Sequence, residues 1–197
     1  MSLTVREKPA SHGSFDPPPT GIHPAVCVWL VDLGTQNTNF GGQSSKKEQI
    51  LIGWELPGQT RRDGKNFVVH KFYNAILSPR AALRQDLEAW RAKPFTPAEL
   101  DGFDLKNILG VPCTLPISHN EKGSRVFAKV GTPLPLDRGA DTPSATLQTI
   151  AYDIKDPIPD SLPDWIRKKI AASDEHLDRE DGPGCVLEGE PENETPF

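Results

Sequence analysis

The sequence predicts a mainly β domain: a five-stranded barrel with a helix between its third and fourth strands, flanked by flexible termini. Three observations carry this. Apolar, β-branched runs of strand length recur through the first 130 residues. Between the third and fourth of them the apolar spacing changes to a helical one. The 197 residues include 20 prolines and 16 glycines and are only 36% apolar, so part of the chain does not pack into a core.

Each element has its own signal. Ala25–Leu33 is continuously apolar and follows Pro24, which marks a long buried strand. Residues 34–45 are polar, contain Gly41-Gly42 and read as a loop. Gln49–Leu56 is a second strand ended by Pro57-Gly58, and 66–76 a third, with the basic turn Arg61, Arg62, Lys65 between them. Ser78-Pro79 then supplies an N-cap and a first-turn proline. Leu83, Leu87 and Trp90 give residues 79–92 an apolar helical face, which ends at Lys93-Pro94. Thr96-Pro97-Ala98-Glu99 has capping-box spacing, and Asp104–Gly110 is a further helical turn closed by glycine. Residues 113–119 and 124–130 are the last two strands, joined by the hairpin loop 120–123. The order β-β-β-α-β-β is that of an OB-fold.

This divides the chain into a Pro-rich flexible arm (1–20), an OB-fold-like domain (21–135), a Pro-rich extension with a short helix near 162–170 (136–172) and an acidic disordered tail (173–197). In the helix of the extension, Trp165, Ile166 and Ile170 are expected to dock on the barrel. Net charge is −5, unevenly spread. Residues 20–135 hold fourteen Lys and Arg against ten Asp and Glu, whereas 136–197 hold six against fifteen. A basic body with an acidic tail points towards nucleic acid. The cysteines at 27, 113 and 185 have neither zinc-ligand nor disulfide-framework spacing, and no stretch has the length and apolarity of a membrane helix. The first residues lack a signal-peptide core, so a cytoplasmic protein with reduced thiols is expected.

Catalytic signatures are absent: no phosphate-binding loop, dinucleotide fingerprint, HExxH or nucleophile elbow, and no histidine pair at metal-ligand spacing. Cys27 or Cys113 could pair with His70 or His119 as a nucleophile, but cysteines inside apolar strands are usually inert core residues. No enzyme activity, cofactor or metal is expected. The informative pattern is basic and aromatic residues interleaved around the second and third strands: Lys46, Lys47, Trp54, Arg61, Arg62, Lys65, Lys71 and Tyr73. Cations follow a phosphate backbone, and flat rings stack on unpaired bases. By alternation, the face carrying Lys71 and Tyr73 is assigned to solvent and Phe72 to the core. Trp54 and Tyr73 stand open between stacking on bases and packing in the core.

The chain finishes in Glu188-Gly-Glu-Pro-Glu192-Asn-Glu194-Thr-Pro196-Phe197. A terminal phenylalanine framed by acids suits an apolar pocket lined by Arg or Lys. Acidic tails ending Pro-Phe resemble those of bacterial single-stranded DNA-binding proteins. The body resembles phage-encoded OB-fold single-stranded DNA binders in Ala25-Val26-Cys27-Val28, Asp32-Leu33-Gly34-Thr35-Gln36, Ile52-Gly53-Trp54-Glu55, Pro94-Phe95-Thr96 and Gly102-Phe103-Asp104-Leu105. It departs from the bacterial type in its Pro-rich arm, its inserted helices and its lack of a Gly/Gln-rich linker.

The resemblance implies a protein of the host bacterial cytoplasm. It would coat single-stranded DNA in phage replication or recombination and recruit replication and recombination proteins through Glu192, Glu194, Pro196 and Phe197. It implies no membrane partner and leaves a homo-oligomer open. The rival expectation is a phage protein-interaction module, or an inhibitor of a host enzyme, on the same barrel.

Overall fold

The computed structural model describes residues 17–180, apart from 41–42, 123–124, 138 and 140. It is mainly β, a curled antiparallel five-stranded half-barrel of the OB-like kind. The strands are β1 (Gly21–Phe40), β2 (Gln43–Thr60), β3 (Asn66–Asn74), β4 (Pro112–Lys122) and β5 (Arg125–Val130), in spatial order β3-β2-β1-β4-β5. Between β3 and β4 lie α1 (Ala82–Arg91), α2 (Pro97–Asp101) and a 3₁₀ turn (Leu105–Ile108). A short strand β6 (Ile150–Tyr152) then pairs in parallel with β1, followed by α3 (Asp164–Ala171) and α4 (Asp174–Glu180). No helix among the described residues is long and apolar enough to cross a membrane.

Several boundaries differ from the sequence expectation. β1 and β2 run through most of the supposed loop 34–45 as a paired hairpin arm, down to Thr38↔Ser45. The arm's residues are polar because most of them meet solvent and the others, Thr35 and Gln36, are held by hydrogen bonds to the helical cover, so it carries no alternating apolar signal. β6 has no counterpart in the sequence expectation. α1 starts at Ala82 rather than after Ser78, and its N-cap Ala81 makes no side-chain cap bond. Residues 174–180 form α4, where the sequence predicts disorder from Ser173. The capping box of α2 is present: the Thr96 side chain accepts from the Glu99 amide, and Glu99 bonds back.

β1 is long enough to serve three partners, and two bulges bend it around the barrel, at Cys27/Trp29 and Asp32/Thr35. The inner core joins Ala25, Cys27 and Leu30 of β1 with Ile52, Trp54 and Leu56 of β2, Leu115 and Ile117 of β4, and Leu83, Leu87 and Trp90 of α1. Trp54 and Trp90 lie 6.0 Å apart between ring centroids. A second core lies on the outer face of the sheet. There Val31, Leu33 and Leu51 pack with Tyr152, Ile154, Leu162, Ile166 and Ile170. Each such side chain removed from water contributes about 1.5–3 kcal/mol. Ile166 and Ile170 thus dock as expected, whereas Trp165 stays 42% exposed.

Polar contacts fix this cover. Thr35 donates from its amide and hydroxyl to Glu175, and Gln36 Nε2 donates to the carbonyls of Leu33 and Lys169. Gly34 has φ +66°, and a Cβ there would fall 2.5 Å from Glu175 Oε2, so glycine is required at the crossing. The chain before β6 is held by Glu55, which is fully buried. Its carboxylate accepts from Asn66 Nδ2 and from the amides of Thr146 and Leu147. Burial pushes the Glu55 carboxyl up, but these hydrogen bonds outweigh it and hold the group below its usual range.

Candidate nucleic-acid interface

The residues singled out from the sequence do not form one site. Lys46 and Lys47 are exposed on the β1–β2 arm, and Lys46 pairs with Asp174 of α4 at 2.8 Å. Arg61, Arg62 and Lys65 are exposed on the turn beyond the other end of β2. Arg61 pairs there with Asp63 at 3.1 Å. Twelve residues of extended β2 lie between Lys47 and Thr60, roughly 40 Å of strand.

Trp54 and Tyr73 do not stack on a ligand. Trp54 is 0% exposed and Tyr73 3% exposed, both in the inner core. The alternation assigned to β3 is inverted: Val69, Lys71 and Tyr73 face inward, while Phe72 is 41% exposed on the outer side. The reason is Asp86, a buried carboxylate on the apolar face of α1. Lys71 Nζ donates to it at 2.6 Å, Tyr73 Oη at 2.8 Å and Thr132 Oγ1 at 3.0 Å. A buried carboxylate needs donors, and β3 supplies two by turning its lysine and tyrosine inward. Burial, the Asp86 charge and this hydrogen bond together push the Tyr73 phenol far above its ordinary range. Lys71 is therefore tied to Asp86 and is not a free phosphate contact.

With the inner face so occupied, the outer face of β3 carries a surface that sequence alternation does not reveal. His70 and Phe72 project there and meet Trp165 of α3. Ring centroids lie 4.6 Å apart for His70–Trp165, 5.3 Å for His70–Phe72 and 6.3 Å for Phe72–Trp165. Lys169 Nζ stands 5.3 Å from the Phe72 ring and also bonds Gln36 Oε1. Burial alone lowers the His70 pKa, so the imidazole favours its neutral form. Beside Phe72 is a cavity of about 330 Å³ whose walls include Gln49, Asn74, Ile76 and Arg80. Gln49 and Asn74 are register partners at the start of the β2–β3 pairing.

The geometry of this face follows from cross-strand packing. Trp29, Gly53 and His70 are partners in one row across β1, β2 and β3. The Trp29 ring lies over Gly53, where an added Cβ would approach it to 2.8 Å. Trp165 is placed by its neighbour Ile166, which is 0% exposed in the outer core. One signal in the sequence points to the inversion. Asp86 falls at i+3 from Leu83 and i−4 from Trp90, on the helix face that packs inward.

The face can do two things chemically: stack on planar groups through Phe72 and Trp165, and attract anions through Lys169 and Arg80. Among the described residues, no group of three or more His, Cys, Asp or Glu is placed to hold a metal ion. Cys27 is buried, and its thiol is pushed far up by burial and then by the Cys113 charge. Burial pushes Cys113 up to about 12. Neither thiol is an activated nucleophile. Cys185 and the tail residues Glu192, Glu194, Pro196 and Phe197 lie outside the described residues. No protein-family model matches the chain, and no curated protein matches it.

Proposed function

We propose that the protein binds single-stranded DNA on the outer face of β3, as a binding protein rather than a catalyst. The observation that carries this is Phe72, an aromatic ring left 41% exposed on a β-barrel. It is flanked by Trp165 and His70, approached by Lys169 and bordered by a cavity with amide and guanidinium groups. Unpaired bases offer π faces and phosphates together, which is what such a surface takes up. A duplex hides its base faces in the stack. Arg61, Arg62 and Lys65 add sequence-independent phosphate contacts. In this reading the protein protects and organises single strands in the cytoplasm of a phage-infected bacterium, during replication or recombination. The acidic tail through Phe197 recruits the partner proteins.

Fluorescence anisotropy with labelled oligo-dT and with duplex of equal length tests the reading. The single strand is expected to bind more tightly at about 50 mM salt, with affinity falling steeply as salt rises. Phe72→Ala and Trp165→Ala should each weaken it about tenfold, at ~1–3 kcal/mol per stacked base. Replacing Arg61, Arg62 and Lys65 by Ala should chiefly flatten the salt slope. Equal affinity for duplex and single strand, or wild-type affinity in both aromatic variants, would overturn it.

A further inference from the structure

We infer that the binding track does not end at β3 but crosses to β5, where Phe127 and Lys129 form a second stacking and phosphate-contact point for the same strand. The inference rests on the single-stranded DNA reading above and adds a site to it.

Register fixes the face. Cys113, Leu115 and Ile117 of β4 point into the inner core. Their alternates Ser118 and Asn120 point out, paired with Lys129 and Phe127 of β5. On β5, Val130 is buried and Ala128 packs against the core, which leaves Phe127 and Lys129 outward. Phe127 is 46% exposed, and Lys129, Ser118 and Asn120 are exposed around it. An exposed aromatic ring next to a cation, with polar neighbours, is the same chemistry as the β3 face.

Topology makes the two faces continuous. The chain alternates direction along β3-β2-β1-β4-β5, so β3 and β5 run the same way, and they come into contact where the barrel closes. Asp86 bonds Lys71 and Tyr73 of β3 and also Thr132, two residues past β5, so the two strands finish at one level. Phe127 is five residues before Thr132, which puts it roughly 17 Å down the seam from the Phe72 level. The same alternation puts the β2–β3 turn, with Arg61, Arg62 and Lys65, at the barrel end where β4 turns into β5. Phe127 and Lys129 therefore lie between the basic turn and the Phe72–Trp165 cluster. They bridge two regions that β3 alone leaves apart. The cations at both ends and Lys129 between them suit a phosphate backbone running along the seam.

Length dependence tests the second point. Phe127→Ala should leave a dT trimer unaffected and weaken an oligomer of about 16 nucleotides roughly tenfold, since the long strand alone reaches both points. Lys129→Ala should reduce the salt slope for the long oligomer by about 0.7, the loss of one phosphate contact. Phe127→Trp keeps a ring in place should the alanine variant prove unstable, and the indole fluorescence it adds should quench on the long oligomer. Wild-type affinity of Phe127→Ala for the long strand, or no quenching of that added fluorescence at saturation, overturns the inference even if Phe72→Ala weakens both lengths. If Phe72→Ala changes neither length, the β3 reading itself has failed and takes this inference with it.

Discussion

The two faces of β3 carry similar residue types and use them oppositely. Inside, Lys71 and Tyr73 converge on Asp86 and are removed from solvent. Outside, His70 is half-buried against Trp165 and Phe72 is left accessible. By residue type a lysine belongs in solvent and a phenylalanine in a core, yet here the lysine is turned inward and the phenylalanine outward. What decides is whether a buried carboxylate or an open surface lies opposite. In the proposed reading, binding falls to the face whose polar demands are not already met within the fold.

The sharpest way to break this contrast is Asp86→Ala. It leaves Lys71 as an uncompensated, largely buried charge and should cost about 3 kcal/mol or more by chemical denaturation. The folded fraction should bind oligo-dT as the wild type does, since nothing on the outer face changes. Loss of affinity in fully folded protein would show that the inner face belongs to the site. Tyr73→Phe removes one buried hydrogen bond and keeps the ring, so a loss of about 1 kcal/mol with unchanged affinity is expected. If the Tyr73 hydroxyl contacted DNA instead of Asp86, the reverse would hold: stability kept and affinity lowered.

The smallest effect is the pH dependence of His70. Burial depresses its pKa below the ordinary 6.5, so the unfolded chain takes up a proton more readily than the folded one. The stability this contributes is complete above pH 6.5 and declines as pH falls below it. Comparing wild type with His70→Asn across pH 7.5 to 5 should show a shallower decline in the variant. An identical decline would assign the effect to other groups.

The strands of the barrel, their order and the helical insertion before β4 are legible because their inward faces are mostly apolar at the period of each element, with the Lys71–Asp86 pair as the exception. The outer cover is only half legible. Ile166 and Ile170 announce an amphipathic helix, but α4 contains almost nothing apolar. It is held by Glu175 on Thr35, 140 residues away, and by Lys46 on Asp174. Contacts of that sequence separation leave no local trace. The β1–β2 arm escapes for a related reason, because a ribbon that is largely solvated and docks elsewhere through polar groups needs no apolar alternation. As for the candidate site, Arg61, Arg62 and Lys65 are the exposed turn that their composition predicts. Alternation puts the aromatic half on the wrong side of β3, because lysine marks solvent in a sequence while its carboxylate partner sits one element further on. Trp165 has the spacing of a docking residue, and only the position of α3 shows that Ile166 fills that part instead.

The outer core also imposes an order on the protein's birth. Val31, Leu33 and Leu51 emerge from the ribosome early, but Leu162, Ile166 and Ile170, which cover them, are made more than a hundred residues later. At ribosomal synthesis rates of roughly 5–20 residues per second the stretch from residue 135 to residue 171 alone takes roughly 2–7 seconds. During that interval a barrel already able to close would display a bare apolar strip along β1 and β2. The nascent chain is then a natural client for a holding chaperone. A stop codon just ahead of α3 would yield a species that aggregates rather than a smaller soluble barrel.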